Sequence, residues 1–230
     1  MDTRTVSHPL VTHLRSAMQD AADPAKAPSM RAYMKTDQPF YGVQATPRRK
    51  IFRAAIKLHP IRSRAEYAAA IRDLWGGVHR EEMYLALDLA ERVKAYRDID
   101  AWPLFVDLMR TASNWDTLDW IAATLLGDLL GKHREKEAEV RAWRDDPNLW
   151  VRRTSLLVHL KHKTDTNVPL LAETILHLAH ETDFFIRKAI GWNLREYAKT
   201  DPDWVRTFVA EHADQLSGLS KREALKNLSG

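Results

Sequence analysis

Apolar residues recur at three- and four-residue intervals over most of the chain, the period of a helix with one buried face. No stretch of useful length alternates at every second residue, as a half-buried strand would. The first periodic segment covers residues 9–19, with Leu10, Val11, Leu14 and Met18 in register. A short helical turn at 30–35 follows, then the loop Pro39-Phe40-Tyr41-Gly42-Val43. Thr46 before Pro47 reads as an N-cap with proline at the first helical position, opening a helix through 58. Ser63-Arg64-Ala65-Glu66 reads as a capping box opening a helix to 75, closed by Gly76-Gly77. Helices are predicted over 79–96 and 100–110. Ser113 then stands three residues before Asp116, a second box-like start whose helix runs to 131. Segments 132–143, 149–162, 167–180, 183–199, 202–212 and 220–228 complete an all-α chain.

The helices repeat. Trp115, Trp150 and Phe185 stand 35 residues apart, each opening an apolar-periodic helix, and one further step back falls on Arg80 at the start of another. A helical pair recurring at this period buries its apolar face on its neighbours, so the expected architecture is an α-solenoid, a single domain over residues 1–230. One helix of every pair lines the concave side, which brings Asp119, Arg153 and Trp192 toward a common basic and aromatic groove. Trp115 and Asp119 are four residues apart and share a helix face.

Composition narrows the classes. The 230 residues are 45% hydrophobic and 29% charged, enough for a packed core and unlike a disordered chain. A formal charge of +4 tilts modestly toward an anionic partner. The absence of cysteine excludes disulfides, thiolate nucleophiles and thiolate metal sites and suits a reducing interior. The first sixteen residues carry no apolar core of a signal peptide and no later run reaches membrane length, so the expectation is a cytoplasmic protein with no membrane partner. Arg48, Arg49 and Lys50 in the first turn of a helix oppose its dipole, a placement easier to understand beside an anion; the alternative is a solvated basic turn.

Several segments, in order, resemble the AlkD-type alkylpurine DNA glycosylases. They are Ala32-Tyr33-Met34-Lys35 with the 39–43 loop, Trp115-Asp116-Thr117-Leu118-Asp119, Trp150-Val151-Arg152-Arg153, and Phe184-Phe185-Ile186-Arg187-Lys188-Ala189-Ile190-Gly191-Trp192 with Leu194-Arg195-Glu196-Tyr197 and Asp201-Pro202. The resemblance implies HEAT-like repeats, no cofactor, and removal of cationic N3- and N7-alkylated purines from double-stranded DNA by hydrolysis of the N-glycosidic bond. It implies that Asp119 is the catalytic carboxylate, Trp115 and Trp192 cleft aromatics, Arg153 a cleft arginine and Tyr33 a DNA-facing tyrosine, with the lesioned base left stacked rather than flipped into a pocket. Asn114, where a second aromatic is expected, bears on substrate range.

The residue types suit that chemistry. A cationic purine is already a good leaving group, so the task is to stabilise an oxocarbenium-like sugar, which a preorganised carboxylate does electrostatically. Tryptophan faces attract the cationic nucleotide, and Arg153 is suited to hold a phosphate bidentately. Duller readings stand beside these. The three tryptophans also suit inter-repeat core, to which Trp150 is assigned, and Tyr33 suits a core tyrosine. Asp119 with Arg153 suits a structural ion pair. Arg152 with Arg153 and Arg187 with Lys188 sit one repeat apart, as a phosphate stripe or a solvent face. His159 with His162, and His177 with His180, have one-turn spacing but no supporting carboxylate, so no metal is expected. A monomer suffices to embrace a duplex. Two other functions remain open, a non-catalytic binder of DNA structure or damage and a scaffold for a protein partner.

Overall fold

The computed structural model describes residues 7–228, and every regular element among them is helical. The chain divides into two compact units, Met1–Leu104 and Phe105–Gly230.

The first unit holds α1 (Pro9–Asp20), α2 (Ala27–Met34), α3 (Ala45–Leu58), α4 (Arg64–Trp75) and α5 (Arg80–Arg92). The predicted stripe of α1, Leu10, Val11, Leu14 and Met18, is fully buried, and α1 packs on α3 and α4. Helix α5 is unusual in burying four charges, Arg80, Glu81, Glu82 and Asp88. Burial of a charge is tolerated only where hydrogen bonds replace water, and Glu81 shows how. Its carboxylate accepts the backbone N–H groups of Tyr41, Gly42 and Val43 at 3.1, 2.9 and 3.0 Å, closing the 39–43 loop onto the helix. Gly42 has φ of 85°, and a Cβ there would lie 2.1 Å from the Asp23 carbonyl oxygen, so no larger residue fits.

Two helix caps in the first unit differ from expectation. Helix α3 begins at Ala45 with Gln44 as N-cap, so Pro47 is its third residue and Thr46 lies inside. None of the first four amides of a helix has an intrahelical partner, and proline therefore fits at the third position as well as the first. At α4, Ser63 accepts the Glu66 amide at 3.2 Å, but Glu66 returns to the Arg62 amide at 2.8 Å rather than to Ser63.

Helix α6 (Trp102–Thr111) crosses the unit boundary. The second unit continues with α7 (Trp115–Trp120), a π-helical stretch over Ile121–Leu126, α8 (Gly127–Lys132), α9 (Glu137–Ala142), α10 (Leu149–Leu157), α11 (Val168–Leu178), α12 (Phe184–Tyr197), α13 (Pro202–Glu211) and α14 (Gly218–Leu225). Helix α10 packs against α7 on one side and α12 on the other, and α12 packs extensively on α14. Leu156, Ile175, Ile186, Ile190, Leu194 and Val205 are central to the core they share.

The sequence period reappears as the spacing of helix caps. His79, Asn114, Asn148, Asp183 and Ser217 are N-caps at intervals of 35, 34, 35 and 34 residues. In the last four the side-chain oxygen accepts a first-turn amide, which fixes where the helix begins and hence which residue points where. The fifth residues after the caps are Tyr84, Asp119, Arg153, Lys188 and Arg222. Asn114 takes the capping position expected of Ser113: its Oδ1 accepts the Trp115 amide at 2.8 Å. Asparagine caps as well as serine does, and Asp116 is thereby left in the first turn, where a negative charge suits the helix dipole.

Candidate functional site

A cleft of about 330 Å³ in the second unit is lined by Trp115, Asp119, Arg153, Phe184, Phe185, Lys188, Trp192 and Arg195. Three neighbouring helices supply it. From α7 come Trp115 and Asp119, one turn apart; from α10 comes Arg153; from α12 come the remaining five. Phe185, Lys188, Trp192 and Arg195 are spaced by three, four and three residues, so they form one continuous face of α12. Gly127, at the end of the π-helical stretch, lies so close to α10 that a Cβ there would meet the Val158 carbonyl oxygen at 2.6 Å. That contact keeps the first two helices tightly packed.

Asp119 and Arg153 form the polar centre. Arg153 Nε donates to Asp119 Oδ1 at 2.8 Å and its Nη2 to Oδ2 at 2.9 Å, the two parallel bonds of a guanidinium–carboxylate fork. Its Nη1 donates to the Phe185 carbonyl oxygen, and the guanidinium carbon lies 5.8 Å from the Phe185 ring centre. The Arg153 residue is only 3% exposed, whereas the Asp119 side chain keeps 15% of its surface open to the cleft. Burial pushes the Asp119 carboxyl above its usual range; the hydrogen bonds and charge of Arg153 pull it down without fully offsetting that, and Asp116 adds to the rise. The result is a carboxylate of fixed orientation in a partly desolvated, aromatic-walled cleft.

The structure brings Asp119, Trp115, Trp192 and Arg153 together, along with Lys188. It assigns Arg153 a different task from the phosphate clamp expected of it. Three of its nitrogens are engaged inside the protein, two of them on the oxygens of Asp119. The ion-pair reading and the cleft reading thus describe one arrangement. Trp150 does not line the cleft; its ring packs 5.0 Å from that of Phe185, but it is only half-buried and stands outside the buried core to which it was assigned.

The basic pairs split. Arg152 is held away from the cleft by Glu181, with bonds of 2.6 and 3.0 Å, and by the carbonyls of Asp146 and Pro147. Arg187 is outside the cleft lining, with Nε near the Asp183 carbonyl at 3.4 Å. Only the second member of each pair faces the cleft, because successive helical residues diverge by about 100°. Arg152 and Arg187 thus do not extend the basic face of the cleft.

In the first unit, Arg48 is also corrected. It is 5% exposed, with Nε 3.6 Å from Asp88 and its guanidinium 4.7 Å from the Tyr84 ring centre, so it is a largely buried cation that only borders a cleft rather than an exposed one. Burial pulls its pKa down. Arg49 and Lys50 beside it are exposed. Tyr33 is 73% exposed, which removes the core reading; it borders a separate cleft with Met30, Phe40, Gln44, Arg48 and Tyr84.

Phe184, Phe185 and Arg195 belong to the site and were not singled out for it. The available signal was the helical spacing from Trp192, which puts Phe185, Lys188 and Arg195 on its face. Of the histidines, His162 Nε2 lies 2.7 Å from the Gly127 carbonyl oxygen and His177 Nε2 2.7 Å from Asp145 Oδ1, both structural contacts. Among the described residues no group of three His, Cys, Asp or Glu side chains is placed to hold a metal ion, and no helix is long and apolar enough to cross a membrane.

The family model described as DNA alkylation repair enzyme matches residues 14–228. A solved structure described as a predicted DNA alkylation repair enzyme from Enterococcus faecalis is similar, with 30% sequence identity and a TM-score of 0.82, over 90% of this chain and 97% of that one. No curated protein matches the sequence.

Proposed function

Because the chain belongs to the DNA alkylation repair enzyme family, we propose that it is a DNA glycosylase of the AlkD type, releasing cationic N3- and N7-alkylated purines from duplex DNA by hydrolysis of the N-glycosidic bond. The repeated helix pairs make a HEAT-like α-solenoid whose concave face is the DNA groove. The protein works as a cytoplasmic monomer without a cofactor.

The observation that carries this reading is the Asp119 carboxylate, fixed by two bonds from Arg153 and opening on a cleft walled by Trp115, Phe185 and Trp192. A cationic purine leaves without being protonated. As its bond to the sugar lengthens, positive charge develops on the anomeric carbon and ring oxygen, and a carboxylate held in place stabilises that charge without reorganising. The same oxygen orients the attacking water and takes up its proton. The tryptophan faces attract the cationic nucleotide, each contact contributing roughly 0.5–2 kcal/mol. Lys188 supplies contacts to backbone and sugar at the cleft, and in the first unit Arg49, Lys50 and Tyr33 are exposed for DNA contacts of their own. The open, side-chain-lined cleft suits engagement of a base that stays stacked.

The test is release of 7-methylguanine from a methylated duplex under single-turnover conditions. Wild type releases the base, and Asp119→Asn keeps duplex binding while losing release by about 10²–10³-fold, the size of losing one preorganised electrostatic group. Salt-dependent duplex binding without release of 7-methylguanine or 3-methyladenine by wild type would favour the non-catalytic binder instead.

A further inference from the structure

Helices α12 and α14 cross closely at Gly191, where a Cβ would lie 2.5 Å from Glu223 Cβ and 2.8 Å from the Ser220 carbonyl oxygen. The absence of a side chain at Gly191 lets α14 deliver Glu223 to the face of α12 that lines the cleft. One Glu223 oxygen accepts Lys188 Nζ at 2.6 Å, and the other accepts Arg195 Nη1. Lys188 and Arg195 are the two cleft cations left once Arg153 is committed to Asp119. The Glu223 side chain is 14% exposed, and the Lys188 and Arg195 side chains are 37% and 23% exposed, so solvent reaches the cations more readily than the carboxylate between them.

An anion with two oxygens, bridging a lysine and an arginine beside a nucleic-acid cleft, has the charge and bonding pattern of a backbone phosphate. We propose that Glu223 occupies a phosphate position in the free protein, and that a DNA backbone phosphate must displace it to engage Lys188 and Arg195. This rests on reading the cleft as a DNA site. The consequence is a lower affinity for any duplex. Backbone contacts are common to every duplex, and an internal competitor weakens them for damaged and undamaged DNA alike, leaving the preference between the two to the contacts at Trp115, Trp192 and Asp119. Lys188 first, together with Arg195 and Lys226, holds the Glu223 carboxyl below its usual range, so the competitor stays charged.

Binding of an undamaged duplex, followed by fluorescence anisotropy across a salt series, tests the proposal. Glu223→Gln binds about tenfold tighter than wild type, and its slope of log K against log salt steepens by about 0.9, one phosphate's worth of counterion release. The preference for a duplex carrying 7-methylguanine is unchanged, because the competitor acts on both duplexes alike. The gain disappears in Glu223→Gln combined with Lys188→Ala and Arg195→Ala. Equal or weaker binding by Glu223→Gln, with wild type binding normally, would overturn this inference alone and make Glu223 a support for the two cations. A wild type with no salt-dependent duplex binding would sink the cleft reading as well. If the glutamine variant fails to fold, Glu223→Asp gives the same readout: its shorter arm releases one cation, and tighter binding of undamaged duplex is again required.

Discussion

The protein holds two buried arginine–aspartate pairs, Arg48 with Asp88 in the first unit and Arg153 with Asp119 in the second. In each the arginine is almost fully covered and lies near an aromatic ring, Tyr84 or Phe185. They differ in geometry and in access. Arg48 approaches Asp88 only to 3.6 Å, its Nε has no hydrogen-bond partner, and Asp88 is wholly buried with Arg92 as a second cation at 3.3 Å. Arg153 grips both oxygens of Asp119 at bonding distance, and Asp119 opens on a cleft. The same residue types thus give one charge enclosed between helices and one that opens on a cleft. What separates them is the path from carboxylate to solvent, and that path is the cleft between α7, α10 and α12, walled by aromatics of α7 and α12.

That contrast can be broken from several sides. The largest stability effect is expected from Arg153→Ala, which leaves Asp119 partly buried without its partner, at a cost of about 3–5 kcal/mol. Arg48→Ala costs less, about 1–3 kcal/mol, because Asp88 keeps Arg92 and the original pair is loose. Urea denaturation of the two variants ranks them; equal losses would show that the two pairs are equivalent supports. Arg153→Ala also lowers base release per folded molecule, and Arg48→Ala leaves it within a few-fold of wild type.

A smaller effect is the pH response. Asp119 must be ionised to stabilise a developing cation, and its carboxyl is raised above the usual range. Release therefore falls as pH drops through that raised value, at a pH higher than an ordinary aspartate would give, and the acid limb is absent from the residual activity of Asp119→Asn. Stability moves the opposite way. A carboxyl whose folded-state pKa exceeds its unfolded one makes the fold less stable as pH rises between the two values, so Asp119 protonation favours folding. Single-turnover rates and denaturation midpoints over a mildly acidic series check both signs. A rate profile flat through that range would remove the carboxylate from the mechanism.

Much of the helical architecture was legible in the sequence, and the reason is physical. A half-buried helix writes its period into the chain, as α1 does with Leu10, Val11, Leu14 and Met18. Boundaries were harder where two capping residues adjoin: Asn114 and Ser113 are both able to cap, and the 34-residue interval from Asn114 to Asn148 shifts Asp119 into step with Arg153. A uniform 35-residue overlay instead pairs Asp119 with Thr154. The direction of charged side chains was least legible. Nothing local announces that Arg48 turns inward to Asp88 or that Arg152 is captured by Glu181, since both partners lie far along the chain. For the same reason Glu223 carried no signal, although the α12 spacing that exposes Phe185 and Arg195 was present throughout.

The most direct test compares the two carboxylates in one assay, release of 7-methylguanine from a methylated duplex in a single turnover by Asp119→Asn and Asp88→Asn, each corrected for folded fraction. The account predicts that Asp119→Asn loses release by about 10²–10³-fold while Asp88→Asn keeps the wild-type rate. Wild-type release by Asp119→Asn, or an equal loss in both variants, would contradict it.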